Sequence, residues 1–133
     1  MKTSIFTKWK PISNIPRDLY FLSLCDQFGS LTILLRELGD DKSKRCLKKQ
    51  FEHTVMYRVT PESSRIKPTD EIPSYDGFWI TKQSNLLTWF NDESVGIYND
   101  GDLIHYTICN VDNVIEVITT SDVLASWDGV ITP

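Results

Sequence analysis

Hydrophobic and polar positions alternate with a period of two over much of this chain, and take a helical period in one place. Ile5, Thr7 and Trp9 alternate with Phe6 and Lys8, which predicts a first strand. Pro11 and Pro16 bracket a loop. Two apolar runs follow, Leu19 to Asp26 and Leu31 to Leu38, around a short turn at Asp26-Gln27-Phe28-Gly29. That pattern predicts a β-hairpin, although the leucine-rich second run is also compatible with a helix. Gly39-Asp40-Asp41 breaks the pattern, and Lys42 to Lys49 is polar and basic, a turn or the start of a strand. From Phe51 to Val59, β-branched and aromatic residues dominate, and Phe51, His53, Val55, Tyr57 and Val59 fall on one face of a predicted strand.

Residues 61–77 hold Pro61, Pro68, Pro73 and Gly77 among many polar residues and read as a long loop. Phe78-Trp79-Ile80-Thr81 is a short strand candidate. Ser84 is suited to cap a helix by accepting a hydrogen bond from an early backbone N–H. Leu86, Leu87 and Phe90 then stand at helical spacing, with Gly96 available to end the helix in a left-handed cap. Asn99-Asp100-Gly101-Asp102 is a turn. Leu103 to Cys109 and Val114 to Thr119, joined by Asn110-Val111-Asp112-Asn113, predict a closing hairpin. Runs of strands with one clear helix favour an α+β fold: a mostly antiparallel, twisted sheet with one main helix packed on one face. No repeat or linker divides the chain, so residues 1–133 are expected to form a single domain.

Composition narrows the class. A hydrophobic fraction of 41% and a charged fraction of 24% are ordinary for a folded globular protein. The cysteines Cys25, Cys46 and Cys109 are odd in number and none are at metal-ligand spacing, so reduced thiols in a cytosol are expected. Cys25 and Cys109 lie inside apolar runs, where a thiol acts as a small hydrophobe. The first ten residues have no apolar core of a signal peptide, and no apolar run reaches membrane-spanning length. A cytoplasmic location is the expectation.

Charge changes the picture more. Residues 1–82 contain all 14 Lys and Arg and ten acids, a balance of +4, while residues 83–133 contain no Lys or Arg and eight acids, a balance of −8. Those acids are Asp92, Glu93, Asp100, Asp102, Asp112, Glu116, Asp122 and Asp128. Asp92 and Glu93 fall near the predicted helix C-terminus, where the macrodipole disfavours each by about 0.3–1 kcal/mol if exposed. An acidic face built from the helix end and the hairpin turns would attract a basic partner and repel nucleic acid. The basic run Lys42, Lys44, Arg45, Lys48 and Lys49 carries no interleaved stacking aromatics and reads as a solvated turn.

Catalytic motifs are not evident. There is no Gly-rich phosphate loop, nucleophile elbow or dinucleotide fingerprint. Asn99-Asp100-Gly101-Asp102 is a fragment of an acidic calcium loop without its further acid. His53 and His105 lie on predicted strands; Cys109 shares a face with His105 but stands roughly 13 Å along the strand, too far for a Cys–His pair. Trp127, near the C-terminus, reads as a pin of the tail to the body, with a place at an interface, where Trp is enriched, as the alternative.

Within Ser84 to Val117, the stretches Ser-Asn-Leu-Leu-Thr-Trp-Phe, Glu-Ser-Val-Gly-Ile-Tyr, Ile-His-Tyr-Thr-Ile and Val-Ile-Glu-Val resemble small bacterial antitoxin partners. In particular they are similar to immunity proteins of contact-dependent growth inhibition systems. The likeness spans about a quarter of the chain. It implies a cytosolic, non-enzymatic protein that binds and neutralises one cognate toxin domain, often a basic nuclease; the acidic balance argues against nucleic acid, and neither a cofactor nor a membrane partner is expected from the sequence. Asp92, Glu93, Asp100, Asp102 and Asp112 would then pair with toxin Lys or Arg, and Tyr98 would pack beside them. The alternative is a small-ligand or enzymatic domain with a pocket between sheet and helix lined by His105, Tyr57 and Trp79. A subunit of a larger assembly, marked by a broad exposed apolar patch, is a third possibility.

Overall fold

A computed structural model describes residues 6–10, 19–37, 46–61, 77–94 and 103–120 with their side chains, and residues 123–128 by backbone. The described chain is mostly antiparallel β, in two sheets with one helix, rather than a single sheet. The strands are β1 (Thr7–Lys8), β2 (Leu19–Gln27), β3 (Ser30–Glu37), β4 (Cys46–Phe51), β5 (Thr54–Pro61), β6 (Phe78–Thr81), β7 (Ile104–Cys109), β8 (Asn113–Thr119) and β9 (Val123–Asp128). The helix α1 (Asn85–Glu93) lies between β6 and β7. One sheet runs β1-β6-β7-β8-β5 and the other β2-β3-β4-β9.

Alternation decides which side chains meet between the sheets. Leu31, Ile33 and Leu35 of β3, Leu47 and Phe51 of β4, Tyr106 and Ile108 of β7, and Ile115 and Val117 of β8 form one buried cluster with Leu19 and Phe78. Each such burial contributes roughly 1.5–3 kcal/mol relative to exposure. The leucine-rich run after Gly29 is therefore a strand, because its every-second-residue spacing matches the inner face of the sandwich. The outer face of the five-stranded sheet is covered in turn. Leu86 and Leu87 of α1 pack with Leu103 and Ile118, and Val55, Met56 and Phe90 pack against that group. Phe6 and Trp79 cover Cys109 and Val114 farther along. β7 and β8 are thus nearly buried on both faces.

Three expectations need correction. The run from Phe51 to Val59 is not one strand: Glu52 and His53 form a turn through which the chain leaves one sheet and enters the other. A register shift between Thr54 and Met56 follows, Val59 ends up exposed, and His53 lies exposed in the turn. Cys25 is exposed on β2, an edge strand, whereas Cys46 and Cys109 are buried. Lys49 is no part of a solvated turn: on β4 it shares the inner face with Leu47 and Phe51 and is 0% exposed. The helix ends at a Ser94 cap, and Gly96 lies outside the described residues. The C-terminal segment is held as β9, with Trp127 opposite Leu47 of β4. No helix among the described residues is long and apolar enough to cross a membrane.

Candidate functional site

The outer face of β7 and β8 carries the most chemically developed constellation in the described chain. A strand-to-helix turn delivers its first member. Thr81 Oγ1 donates to the carbonyl of Gln83 at 2.7 Å and accepts from the Gln83 N–H at 3.0 Å, which shapes the turn out of β6. Ser84 then caps α1 in extended backbone, and its Oγ accepts from the Leu87 N–H at 3.1 Å. The same Oγ lies 2.8 Å from His105 Nδ1; an ionised, acceptor-only Glu116 at the other ring nitrogen leaves Nδ1 of a neutral imidazole as the acceptor of the serine hydroxyl. A neutral ring then carries its proton on Nε2. That nitrogen faces Glu116 Oε1 at 3.2 Å and Thr107 Oγ1 at 3.3 Å. Glu116 Oε2 accepts from Arg58 Nε of β5 at 2.5 Å.

The chain is therefore Ser84–His105–Glu116–Arg58, with the first three buried and the arginine half exposed. Burial alone would push the Glu116 carboxyl up; hydrogen bonds from His105 and Arg58, aided by their charges, outweigh it and hold it at about 2. Phe6 sets its edge against the His105 ring, with centroids 5.2 Å apart. Chemically this is a serine hydroxyl directed at an imidazole whose other nitrogen is oriented by a carboxylate. Tyr57 does not join it: Tyr57 faces the sandwich interior, whereas Trp79 and His105 lie on the outer face. Those three residues therefore do not line one pocket.

Sequence reading saw Ser84 only as a cap and did not connect Glu116 to His105. The signal was present in the hairpin itself. A turn at residues 110–112 sets Thr107 opposite Glu116 and His105 opposite Ile118, so His105 and Glu116 are diagonal neighbours on one face. Side chains of Asn110 and Asn113 fix that turn: Asn110 Oδ1 accepts from the N–H groups of Asp112 and Asn113, and its Nδ2 donates to Asn113 Oδ1.

The acidic residues separate into two groups. Asp92 and Glu93 are exposed at the end of α1, two and three residues beyond Phe90, which packs against the cluster containing Leu103 and Ile118. Asp112 is exposed at the other end of β7, roughly 20 Å away along the strand. There its Oδ2 accepts from the Phe21 N–H at 2.9 Å, while the Val111 N–H donates to the Leu19 carbonyl at 3.0 Å, so this turn docks on the edge of β2. Tyr98, Asp100 and Asp102 lie outside the described residues. Glu116 is not a surface acid, being buried and paired with Arg58.

A second buried ionisable group sits between the sheets. Lys49 Nζ has no hydrogen-bond partner and lies 4.0 Å from the Trp9 ring centroid and 2.9 Å from that of Phe78. Desolvation holds its pKa well below the ordinary lysine value. The ring faces favour the charged form by up to about 2 kcal/mol, less than the several kcal/mol of hydration an ammonium loses here, so the direction stands. Among the described residues no group of three or more His, Cys, Asp or Glu could hold a metal ion. Comparison with protein-family models, with curated proteins and with solved structures returns no match.

Proposed function

We propose that the chain is a non-enzymatic, cytoplasmic inhibitor of the immunity type, binding a cognate basic toxin domain through the acidic residues of the Asp92–Asp102 segment. One observation carries the reading. The segment from Asp92 to Asp102 holds Asp92, Glu93, Asp100 and Asp102, with Tyr98 between them and no Lys or Arg. Both of its ends are anchored on one apolar cluster, through Phe90 of α1 on one side and Leu103 before β7 on the other. A run of acids with no neighbouring cation in sequence favours association with a positive surface. Asp112, at the other end of β7, is left out of the contact.

The test is capture from the native host with tagged protein, at low and at high salt. The wild-type chain should retain one basic protein that is released as salt rises. A chain carrying D92K, E93K, D100K and D102K should not retain it. A partner held equally by both chains removes the proposal.

The Ser84–His105–Glu116 arrangement favours a second, enzymatic reading in which Ser84 is a nucleophile and His105 its base. A serine-directed fluorophosphonate should then label Ser84 in the wild-type chain and not in His105→Ala. Absence of labelling at long exposure removes this reading.

A further inference from the structure

The hairpin joining β2 and β3 has two central residues, Phe28 and Gly29, with φ of 53° and 90°. Two-residue hairpins of this hand need positive φ at both positions, and Asn, Asp or Gly normally occupies the first. An aromatic residue there is strained, since its Cβ crowds the backbone. Strained positions persist only when their surroundings over-determine them. Here the Gly29 N–H donates to Asp26 Oδ1 at 3.1 Å, and the Gly29 carbonyl accepts from the Thr54 N–H at 3.0 Å, fastening the tip to the start of β5. The phenyl ring gains nothing inside the molecule in return, because Phe28 is fully exposed. The turn backbone is fastened with a large apolar side chain projecting into water, at a conformational cost.

The surroundings say what it meets. Thr54 pairs with Thr119, and Thr119 with Ile104, so the hairpin tip stands at the end of the sandwich where β7 begins; Phe90 of α1 packs near that end, on the outer face of the five-stranded sheet, with Leu103 and Val55. Asp26 flanks Phe28 on the hairpin, Glu52 and His53 form the exposed turn just before Thr54, and Asp92 and Glu93 are exposed at the end of α1. This pole combines one projecting aromatic with four carboxylates; Lys82, beyond β6, is the described cation at this end.

We propose that Phe28 is the apolar anchor of a docking surface at this pole, inserting into a pocket on a basic protein whose Lys and Arg face Asp26, Glu52, Asp92 and Glu93. The proposal rests on the inhibitor reading above and extends its surface to a second loop. Interfaces of this kind concentrate their affinity in a few buried aromatics, with charged residues at the rim setting association rate.

Phe28→Asn is the deciding variant, since Asn-Gly is favoured in this turn and the substitution relieves strain. Its melting temperature should rise by about 2–5 °C. Its affinity for the basic protein captured by the wild-type chain should fall at least about tenfold, mainly through faster dissociation. Benzoylphenylalanine, a photoreactive probe, placed at position 28 in host cells should cross-link to that basic protein, and the same probe at Tyr20, exposed on β2 at the other pole, should not. Undiminished binding by Phe28→Asn overturns the anchor. If the D92K, E93K, D100K and D102K chain still loses the partner in that case, the inhibitor reading survives without it; if neither variant loses the partner, both fall. A lowered melting temperature overturns the strain argument and makes Phe28 structural. Concentration-dependent self-association of the purified chain, abolished by Phe28→Asn in sedimentation, overturns the proposal by making a second copy the occupant.

Discussion

His105 Nε2 lies 3.2 Å from Glu116 Oε1 across the β7–β8 pair, joining residues that are diagonal rather than directly opposed in the register. Arg58 on the far side of β8 and Ser84 at the head of α1 extend the contact in both directions. Strands β5, β7 and β8 and the head of α1 are thereby joined by polar groups on one sheet face. The geometry fixes several outcomes.

Glu116→Gln should destabilise the fold by roughly 1–3 kcal/mol at neutral pH, because Arg58 and His105 lose an anionic partner inside the structure. The folded-state pKa of about 2 is below the ordinary value of 4.5. An unfolded chain therefore binds the proton first as pH falls. Stability from this carboxylate is fully present above pH 4.5 and disappears as pH drops toward 2, a change on the order of 3 kcal/mol. Urea unfolding at pH 7, 4.5 and 3 checks it: the wild-type chain should lose stability over the last interval faster than Glu116→Gln.

Lys49→Met should stabilise the protein by about 1–4 kcal/mol, since methionine keeps the buried stem between Trp9 and Phe78 and removes the unpartnered amine. Because the folded pKa is lowered, the unfolded chain holds more protons at neutral pH, and wild-type stability should rise with pH toward the ordinary lysine value of 10.5. Denaturant midpoints between pH 7 and 10 should show this upward slope in the wild-type chain and a flatter one in Lys49→Met.

Ser84→Ala should cost about 1–2 kcal/mol by removing the cap of α1 and leaving His105 Nδ1 without its donor. Ser84→Thr keeps the hydroxyl and should recover most of the loss. Thermal melts of the three chains decide this, and equal midpoints for Ala and Thr would mean that the hydroxyl is not the stabilising group.

Asp92→Lys with Glu93→Lys should raise stability, by up to about 0.3–1 kcal/mol for each site, because cations suit a helix C-terminus better than acids. The same double variant should associate more slowly with a basic partner. Paired melting and stopped-flow measurements test the two effects together; a chain that gains stability and loses no association rate keeps its helix chemistry but has no acidic docking surface.

Local patterning makes much of this fold legible. Ser84 and the Leu86, Leu87, Phe90 spacing mark α1, and Asn110 to Asn113 marks the turn between β7 and β8. The alternation of Leu31, Ile33 and Leu35 marks an inward strand face once the helical alternative is set aside. These features depend on residues within a few positions of one another, where side-chain direction follows from backbone period alone. The turn at Glu52 and His53 is less legible, because a strand that changes sheets keeps the composition of a continuous strand.

The sequence by itself determined the strand-rich character, the capped helix after Ser84, the closing hairpin and the concentration of acids after Lys82. Only the tertiary structure decided that the strands divide into two sheets, that Lys49 points between them, that Arg58 reaches Glu116, and that Phe28 stands at the same pole as Asp92 and Glu93. Those relationships join residues far apart in the chain. Their pairing follows from which strand edges and apolar faces find each other in three dimensions, and the period of a strand is the same whichever neighbour it takes.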